Sequence, residues 1–205
     1  MPRNLIVAAT LLTAVMPQLA LTQGSSRPDV ESRVIPMAED EQALRQSLVL
    51  EVPLADLWYL FTTDQGVTEW MAPVGSVDLR SGGMIRTNYD ACAQLGDDGW
   101  IENKIVNFVP HRFITLQADL EPQREEVWMN EEVYARRENL YSVIEFEEIA
   151  PDRTRLTMWG LGYGTGPEWE TILDFFTAGN EWTFGQLQRA IAGEDVYRPC
   201  ASVED

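Results

Sequence analysis

The chain has 205 residues, 45% of them apolar, so it can bury one hydrophobic core, and its length favours a single domain. It carries 15 basic and 33 acidic residues, a net charge of −18, which disfavours nucleic acid and anionic membrane surfaces as partners. We interpret the excess of acidic residues as a feature that keeps the protein soluble.

The first twenty residues have the layout of a secretory signal peptide. Arg3 precedes an apolar run from Leu5 to Val15, and Pro17 and small residues follow. The run is too short to span a membrane, which needs about twenty apolar residues, and a buried N-terminal helix is the alternative. We therefore expect a periplasmic or secreted protein. Removal of residues 1–20 would take away Arg3 and leave a net charge of −19.

The start of the folded domain is predicted at Leu44. The preceding stretch is polar and without hydrophobic period, as in a linker. From Leu44 the pattern alternates, with Leu48 and Leu50 on one face, as in a strand. The chain is thus divided into a signal peptide (1–20), a polar linker (21–43), a folded domain (44–193) and a C-terminal tail (194–205).

Two short helices and a run of strands are predicted next. The helical patterns cover residues 54–63 and 64–71. Turn signals at hairpin distances then separate short alternating segments, which predicts an antiparallel sheet. With the first strand the sheet has about seven strands, the others covering residues 74–79, 84–90, 100–109, 113–119, 140–149 and 154–163.

The segment from Glu121 to Asn139 does not fit the hairpin pattern. It has six acids, three arginines and isolated apolar residues. A helix, a strand extension or a lid over an opening is compatible with it. A solvated connection is the simplest interpretation, and Trp128 argues against that.

The last long helix, predicted over residues 167–192, organises the rest of the chain. Its apolar residues keep near 3.6-residue spacing in two neighbouring stripes, so the helix is expected to be wrapped by the sheet. Thr165 and Glu168 are placed for a capping box, and Gly193 for a C-cap. The stripes consist of Trp169, Ile172, Leu173, Phe176, Thr183, Leu187 and Ile191, and of Phe175, Ala178 and Trp182.

Cys92 and Cys200 are the only cysteines. In an exported protein they could form one bridge between the strand region and the tail, but the sequence leaves open whether they do.

The order of these elements resembles the START-like (SRPBCC) superfamily, and within it the group of activator-of-Hsp90-ATPase homologues, also labelled polyketide-cyclase-like. The resemblance implies a helix-grip α+β fold, in which a curved antiparallel sheet wraps around the long C-terminal helix and leaves an elongated apolar cavity. Two short helices close one end of that cavity. The similar motifs are Val52-Pro-Leu-Ala-Asp-Leu-Trp58, Thr62-Thr-Asp64 with Trp70, Asp78-Leu-Arg-Ser-Gly-Gly83, Val109-Pro-His-Arg-Phe113, Thr154-Arg-Leu-Thr157, Gly179-Asn-Glu-Trp182 and Leu187-Gln-Arg189.

Aromatic and aliphatic residues of the predicted elements are the candidate lining of this cavity, which would bind an apolar ligand. Such residues more often form ordinary core. Side chains alternate between the two faces of a strand, but this alternation does not decide which face of the strand 100–109 points inward. Either Ile101, Ile105 and Val109 or Val106 and Phe108 could do so. The candidate ligand-binding residues are Trp70, Met71, Ile85, Tyr89, Phe108, Trp128, Trp159, Phe176 and Trp182.

An enzyme would need an acid or a base in the cavity with a shifted pKa. Candidates are Tyr89, Asp90, Arg86, Glu102 and Lys104. Lys104 shares a strand face with Glu102, so we expect an ordinary surface pair between them. The sequence has no nucleophile elbow, phosphate loop or metal-ligand cluster, so we expect neither a metal nor a cofactor.

Three functions are compatible with the sequence. The first is an exported module that binds a small hydrophobic or amphipathic molecule. The second is a cyclase- or dehydratase-like enzyme that uses pocket acids or Tyr89. The third is a protein-interaction module of the chaperone-activator kind, which an exported chain disfavours because it would not meet a cytosolic chaperone.

Overall fold

The computed structural model describes residues 29–126 and 128–200. The predicted signal peptide lies outside the described residues. Within them the chain forms a helix-grip fold, a curved antiparallel sheet with a long C-terminal helix and two short helices after the first strands. The strands are β1 (Glu31–Pro36), β2 (Glu41–Leu50), β3 (Val74–Val77), β4 (Met84–Asn88), β5 (Ile101–Val109), β6 (Phe113–Ala118), β7 (Tyr141–Ala150) and β8 (Arg153–Gly164), and the α-helices are α1 (Leu54–Thr62), α2 (Asp64–Trp70), α3 (Glu131–Arg136) and α4 (Glu170–Ile191).

The eight strands form one sheet in the order β1-β2-β8-β7-β6-β5-β4-β3, with every neighbouring pair antiparallel. The sequence predicted about seven strands, because Glu31–Pro36 was assigned to a polar linker. That segment instead pairs with β2 along its whole length as an edge strand. Its side chains are mostly exposed, so it has no apolar face that alternation could reveal.

Helices α1 and α2 close one end of the space between the sheet and α4. Phe61 of α1 packs edge-on against Phe146 of β7 and against the ring of Trp70 in α2. The indole of Trp70 donates to the carbonyl of Leu60, which satisfies its polar atom inside the core. The Thr63 hydroxyl caps α2 by accepting from the backbone N–H of Gly66.

A β-bulge in β5 explains why the sequence did not decide which of its residues face inward. Ile105 pairs with Leu116 but Asn107 pairs with Thr115, so one extra residue lies between them. Ile101 and Ile105 therefore face inward before the bulge, and Phe108 packs on the core after it.

The long helix begins differently from the prediction and ends as predicted. Pro167–Trp169 form a 3-10 turn that leads into α4, and no side chain caps either, so the capping box of Thr165 and Glu168 is wrong. At the other end Gly193 has φ +80°. The N–H of Gly193 donates to the carbonyl of Ala190, and the N–H of Glu194 donates to the carbonyl of Arg189. This pair of bonds is a Schellman cap, which favours glycine at the left-handed position.

The hydrophobic core consists of two clusters. The larger one joins α1 and α2 to the sheet and to the C-terminal part of α4, through Phe184 and Leu187. The smaller one joins the first turns of α4 to the segment between β6 and β7. Trp128, Met129 and Val133 of that segment are buried, so a merely solvated connection is wrong; the segment contains α3 and covers the second end of the molecule.

The C-terminal tail is held by a disulfide between Cys92 and Cys200, which are 108 positions apart in sequence and have 4.9 Å between their Cα atoms. The loop after β4 and the C-terminal tail are therefore covalently joined.

No helix within the two described ranges is long and apolar enough to cross a membrane.

Candidate ligand-binding cavity

A cavity of about 350 Å³ lies between the sheet and α4, where the two core clusters fail to meet. Its volume is within the range of small-molecule sites. One side is lined by members of the larger cluster, such as Trp70 and Phe184, and the other by members of the smaller one, such as Leu140 and Phe176. A close-packed interior rarely leaves such a gap, so the space is a property of this fold that needs an explanation.

The lining is apolar with a few neutral polar groups. Carboxylate, ammonium, guanidinium and imidazole groups are absent from it, as far as the described residues go. The polar side chains come from Thr87, Asn103 and Ser142 on the sheet, from Asn180 and Thr183 on α4, and from Tyr89, Tyr141 and Tyr163. The Asn180 amide donates to Gln46 of β2 and the Thr183 hydroxyl to the carbonyl of Gly179, so these two are already engaged.

The mouth of the cavity is aromatic. Phe175 and Trp182 lie about two turns apart on α4 and are 45% and 51% exposed, although both rings line the cavity. Gly179 lies between them, and a Cβ added to it would meet nothing within 4 Å. Tyr89 at the end of β4 faces Trp182 with 6.1 Å between ring centroids. Burial against this rim raises the pKa of the Tyr89 phenol.

The disulfide brings the tail to this rim. The ring centroid of Tyr197 lies 6.4 Å from that of Tyr89, and the Tyr197 hydroxyl donates to the carbonyl of Met71 at the end of α2. Burial, followed by the proximity of Tyr89, raises the pKa of Tyr197 to about 12. The tail thus acts as a strap across the edge of the mouth.

The structure brings together six of the nine candidate residues predicted from sequence. These line the cavity: Trp70, Met71, Ile85, Tyr89, Phe176 and Trp182.

The other three candidates lie outside the lining. Phe108 packs against Trp58 under α1, with 6.4 Å between ring centroids. Trp159 is on the opposite face of the sheet, where its indole donates to Glu145 and Arg45 lies over its ring. Trp128 lies behind the lining residues and stacks on Phe175, with 4.7 Å between ring centroids.

Three charged candidates for catalysis, Arg86, Glu102 and Lys104, lie on the outer face of the sheet, and Asp90 lies in the loop after β4, outside the cavity lining. Ile85 and Thr87 point into the cavity, so Arg86 between them points away. Arg86 forms an ion pair with Glu102 on β5, in which Nε of Arg86 lies 2.6 Å from Oε1 of Glu102. Both side chains are about one-third exposed. The partner of Glu102 is therefore Arg86, not Lys104 as the sequence suggested.

Sequence reasoning missed Tyr163, a buried tyrosine in the wall of the cavity. A register shift between β2 and β8 and a left-handed Gly162 (φ +86°) place Gly160 and Tyr163 on the same face of the sheet, three residues apart. The signal was the run Gly160-Leu-Gly-Tyr-Gly164, in which three glycines interrupt the pattern of the strand. Burial raises the pKa of the Tyr163 phenol.

Solved structures of low sequence identity share this fold. CalU16 from Micromonospora echinospora is 19% identical, with a TM-score of 0.53, over 90% of this chain and 84% of that one. The Aha1 dimer from Colwellia psychrerythraea is 11% identical, with a TM-score of 0.56, over 73% and 95%. A conserved protein of unknown function from Enterococcus faecalis is 12% identical, with a TM-score of 0.53, over 78% and 77%. At these identities the similarity shows the fold alone.

A search of curated proteins found no match. The family described as Activator of Hsp90 ATPase homolog 1-like protein matches residues 51–192, which run from the end of β2 to the end of α4 and include most of the cavity wall. The match covers well over half of the chain, and the fold agrees with it. The chain therefore belongs to the Activator of Hsp90 ATPase homolog 1-like family, within the START-like superfamily.

Proposed function

We propose that this protein is an exported binding module that holds one small hydrophobic or amphipathic molecule in the cavity between the sheet and α4. The single observation that carries the proposal is the gap of about 350 Å³ between the two core clusters, with its apolar and uncharged lining. An apolar ligand there would bury aromatic and aliphatic surface that the protein itself leaves uncovered.

Two features support export. The first is the sequence pattern of Arg3 and the apolar run from Leu5 to Val15. The second is the disulfide between Cys92 and Cys200, a bond that persists in oxidising compartments and is rare in the cytosol.

The binding experiment uses the neutral fluorescent probe N-phenylnaphthylamine and two variants of α4. Gly179→Phe places a ring in the open space at the mouth, because nothing lies within 4 Å of that position. Ala178→Phe is the control, since Ala178 is exposed and is not one of the lining residues. We expect saturable binding with a rise in melting temperature for the unaltered protein and for Ala178→Phe. Gly179→Phe should weaken binding by tenfold or more. Equal affinities for both variants would contradict the proposal.

A cyclase- or dehydratase-like enzyme is the alternative, and one observation favours it. Tyr89 is an ionisable group at the mouth of the cavity, at the rim where a substrate would enter. Tyr89→Phe should leave probe affinity almost unchanged if the site only binds. Turnover of a bound compound that Tyr89→Phe abolishes would establish the enzyme in place of the binding module.

A further inference from the structure

The Tyr163 phenol is a hydrogen-bond donor without a partner in the wall of the cavity. The residue is 5% exposed, and within the described part of the chain its hydroxyl makes no hydrogen bond. Because this hydroxyl borders the cavity and has no protein partner among the described residues, it is free to donate a hydrogen bond to a molecule bound there.

A second hydroxyl lies beside it. Gly160 of β8 is directly opposite Ser142 of β7 in the sheet. A Cβ built on Gly160 would be 2.8 Å from the Tyr163 oxygen, so the phenol lies over this glycine, next to Ser142. Ser142 also lines the cavity, and its hydroxyl has no partner within the described residues. We call these two residues the hydroxyl pair.

The absence of a side chain at Gly160 is what makes room for this arrangement. Any larger residue would clash with the Tyr163 ring, whose nearest carbon would be 2.6 Å from the added atom. The left-handed conformation at Gly162 then turns Tyr163 inward. Two glycines of one strand thus present the phenol to the cavity.

The charge of the surroundings defines what the hydroxyl pair can recognise. Burial raises the pKa of Tyr163, so the phenol stays protonated at neutral pH and donates. Neither lysine, arginine nor histidine is among the described residues of the lining, so an anionic ligand would be desolvated there without a counter-charge. The strongly acidic chain adds a repulsive field.

We propose that the ligand of this cavity is an uncharged apolar molecule with an oxygen acceptor, a ketone, ester or alcohol, whose oxygen accepts a hydrogen bond from Tyr163 beside Ser142. This inference rests on the proposed function and narrows its ligand class. It excludes both plain hydrocarbons and carboxylates as preferred ligands.

Three bicyclic probes of similar size test it: tetralone, which has a neutral ketone, tetralin, which has no acceptor, and naphthoate, which is anionic. Binding is measured by calorimetry on the full mature chain at neutral pH. We expect tetralone to bind roughly three- to tenfold more tightly than tetralin, as one net hydrogen bond implies. Naphthoate should bind more weakly than either.

The variants separate the hydrogen bond from packing. Tyr163→Phe should remove the preference of the cavity for tetralone over tetralin while leaving tetralin affinity unchanged. Ser142→Ala should reduce the same preference by a smaller factor. Tyr59→Phe is the matched control, because Tyr59 is an exposed tyrosine of α1 outside the lining, and it should change nothing.

The outcomes are distinguishable. Equal affinity for tetralone and tetralin, or an undiminished preference in Tyr163→Phe, overturns the inference and leaves the binding module in place. Tightest binding of naphthoate overturns it as well. Failure of all three probes to bind overturns the proposed function together with the inference. Tyr163→Phe should fold, with a melting temperature at or above that of the parent, because it removes only an unpaired hydroxyl.

Discussion

At the scale of single residues, two tryptophans of the C-terminal region differ in burial. Trp169, at the start of α4, is 1% exposed and belongs to the smaller core cluster, whereas Trp182 is 51% exposed at the mouth of the cavity. Packing therefore depends on the first, and we propose that ligand contact depends on the second.

Alanine substitution should separate these two roles. Trp169→Ala should cost about 3–5 kcal/mol of unfolding free energy, the usual loss for a fully buried large side chain. Trp182→Ala should cost roughly 1–2 kcal/mol, because half of its surface is already in water, but it should weaken probe binding. Urea unfolding and probe titration of both variants measure this. A larger stability loss for Trp182→Ala would mean that the rim is part of the core.

The two tyrosines with strongly raised pKa values make stability fall in alkali. In the folded protein burial keeps Tyr163 and Tyr197 neutral above pH 10, the ordinary pKa of the residue, while in the unfolded chain they ionise. Their contribution to stability is therefore complete below pH 10. The contribution of Tyr197 is lost as the pH rises through about 12, and that of Tyr163 at higher pH.

Absorbance titration should show this as a late phase of phenol ionisation. Tyr197 should ionise only near its pKa of about 12. Tyr197→Phe should remove part of the late phase. If every tyrosine ionises in a single phase near pH 10 while the fold is intact, the burial of both phenols is contradicted.

At the scale of elements, the disulfide makes the tail part of the cavity rim. Replacing Cys92 and Cys200 by serine should lower the unfolding free energy by about 2–4 kcal/mol, since the bridge closes a long loop of 108 residues. The same variant should expose Tyr197 and bring its pKa back toward 10.

Denaturation with and without reductant measures the first effect, and phenol titration the second. The serine variant is the control for the reductant, which should not affect it. Unchanged stability after reduction of the parent would mean that the tail is held by its other contacts alone, such as the bond from Tyr197 to Met71.

The periodic elements could be predicted from sequence, and the exceptions have physical causes. The stripe of α4 and the alternating strands were recognisable because their apolar faces are buried. β1 was missed because it is an exposed edge strand, defined by backbone pairing with β2. The bridge was left open because spacing in sequence does not give the distance between two cysteines.

The site was harder to predict than the fold, for a different reason. Whether a strand residue lines the cavity depends on parity, and bulges change parity in the middle of a strand. The bulge after Ile105 and the shift around Gly162 in β8 are two such points. Trp159 was assigned to the cavity and lies on the opposite face, while Tyr163 was overlooked and lies inside.

At the scale of the whole molecule, we propose export, because of the sequence pattern of the first twenty residues and the disulfide. The test is the mature N-terminus of the protein from its natural host. We expect it near residue 20, with the protein in the periplasmic or extracellular fraction. A chain that begins at Met1 and fractionates with the cytoplasm would contradict export and favour the protein-interaction alternative.

The fold divides its core into two clusters, and we propose that a ligand occupies the space between them. A crystal structure of the mature protein grown with tetralone tests this most directly. The account predicts one tetralone molecule between Phe176 and Ile85, with its oxygen at hydrogen-bond distance from the Tyr163 hydroxyl. Tetralone bound only on the outer face of the sheet, or a cavity closed by its own side chains, would contradict the account.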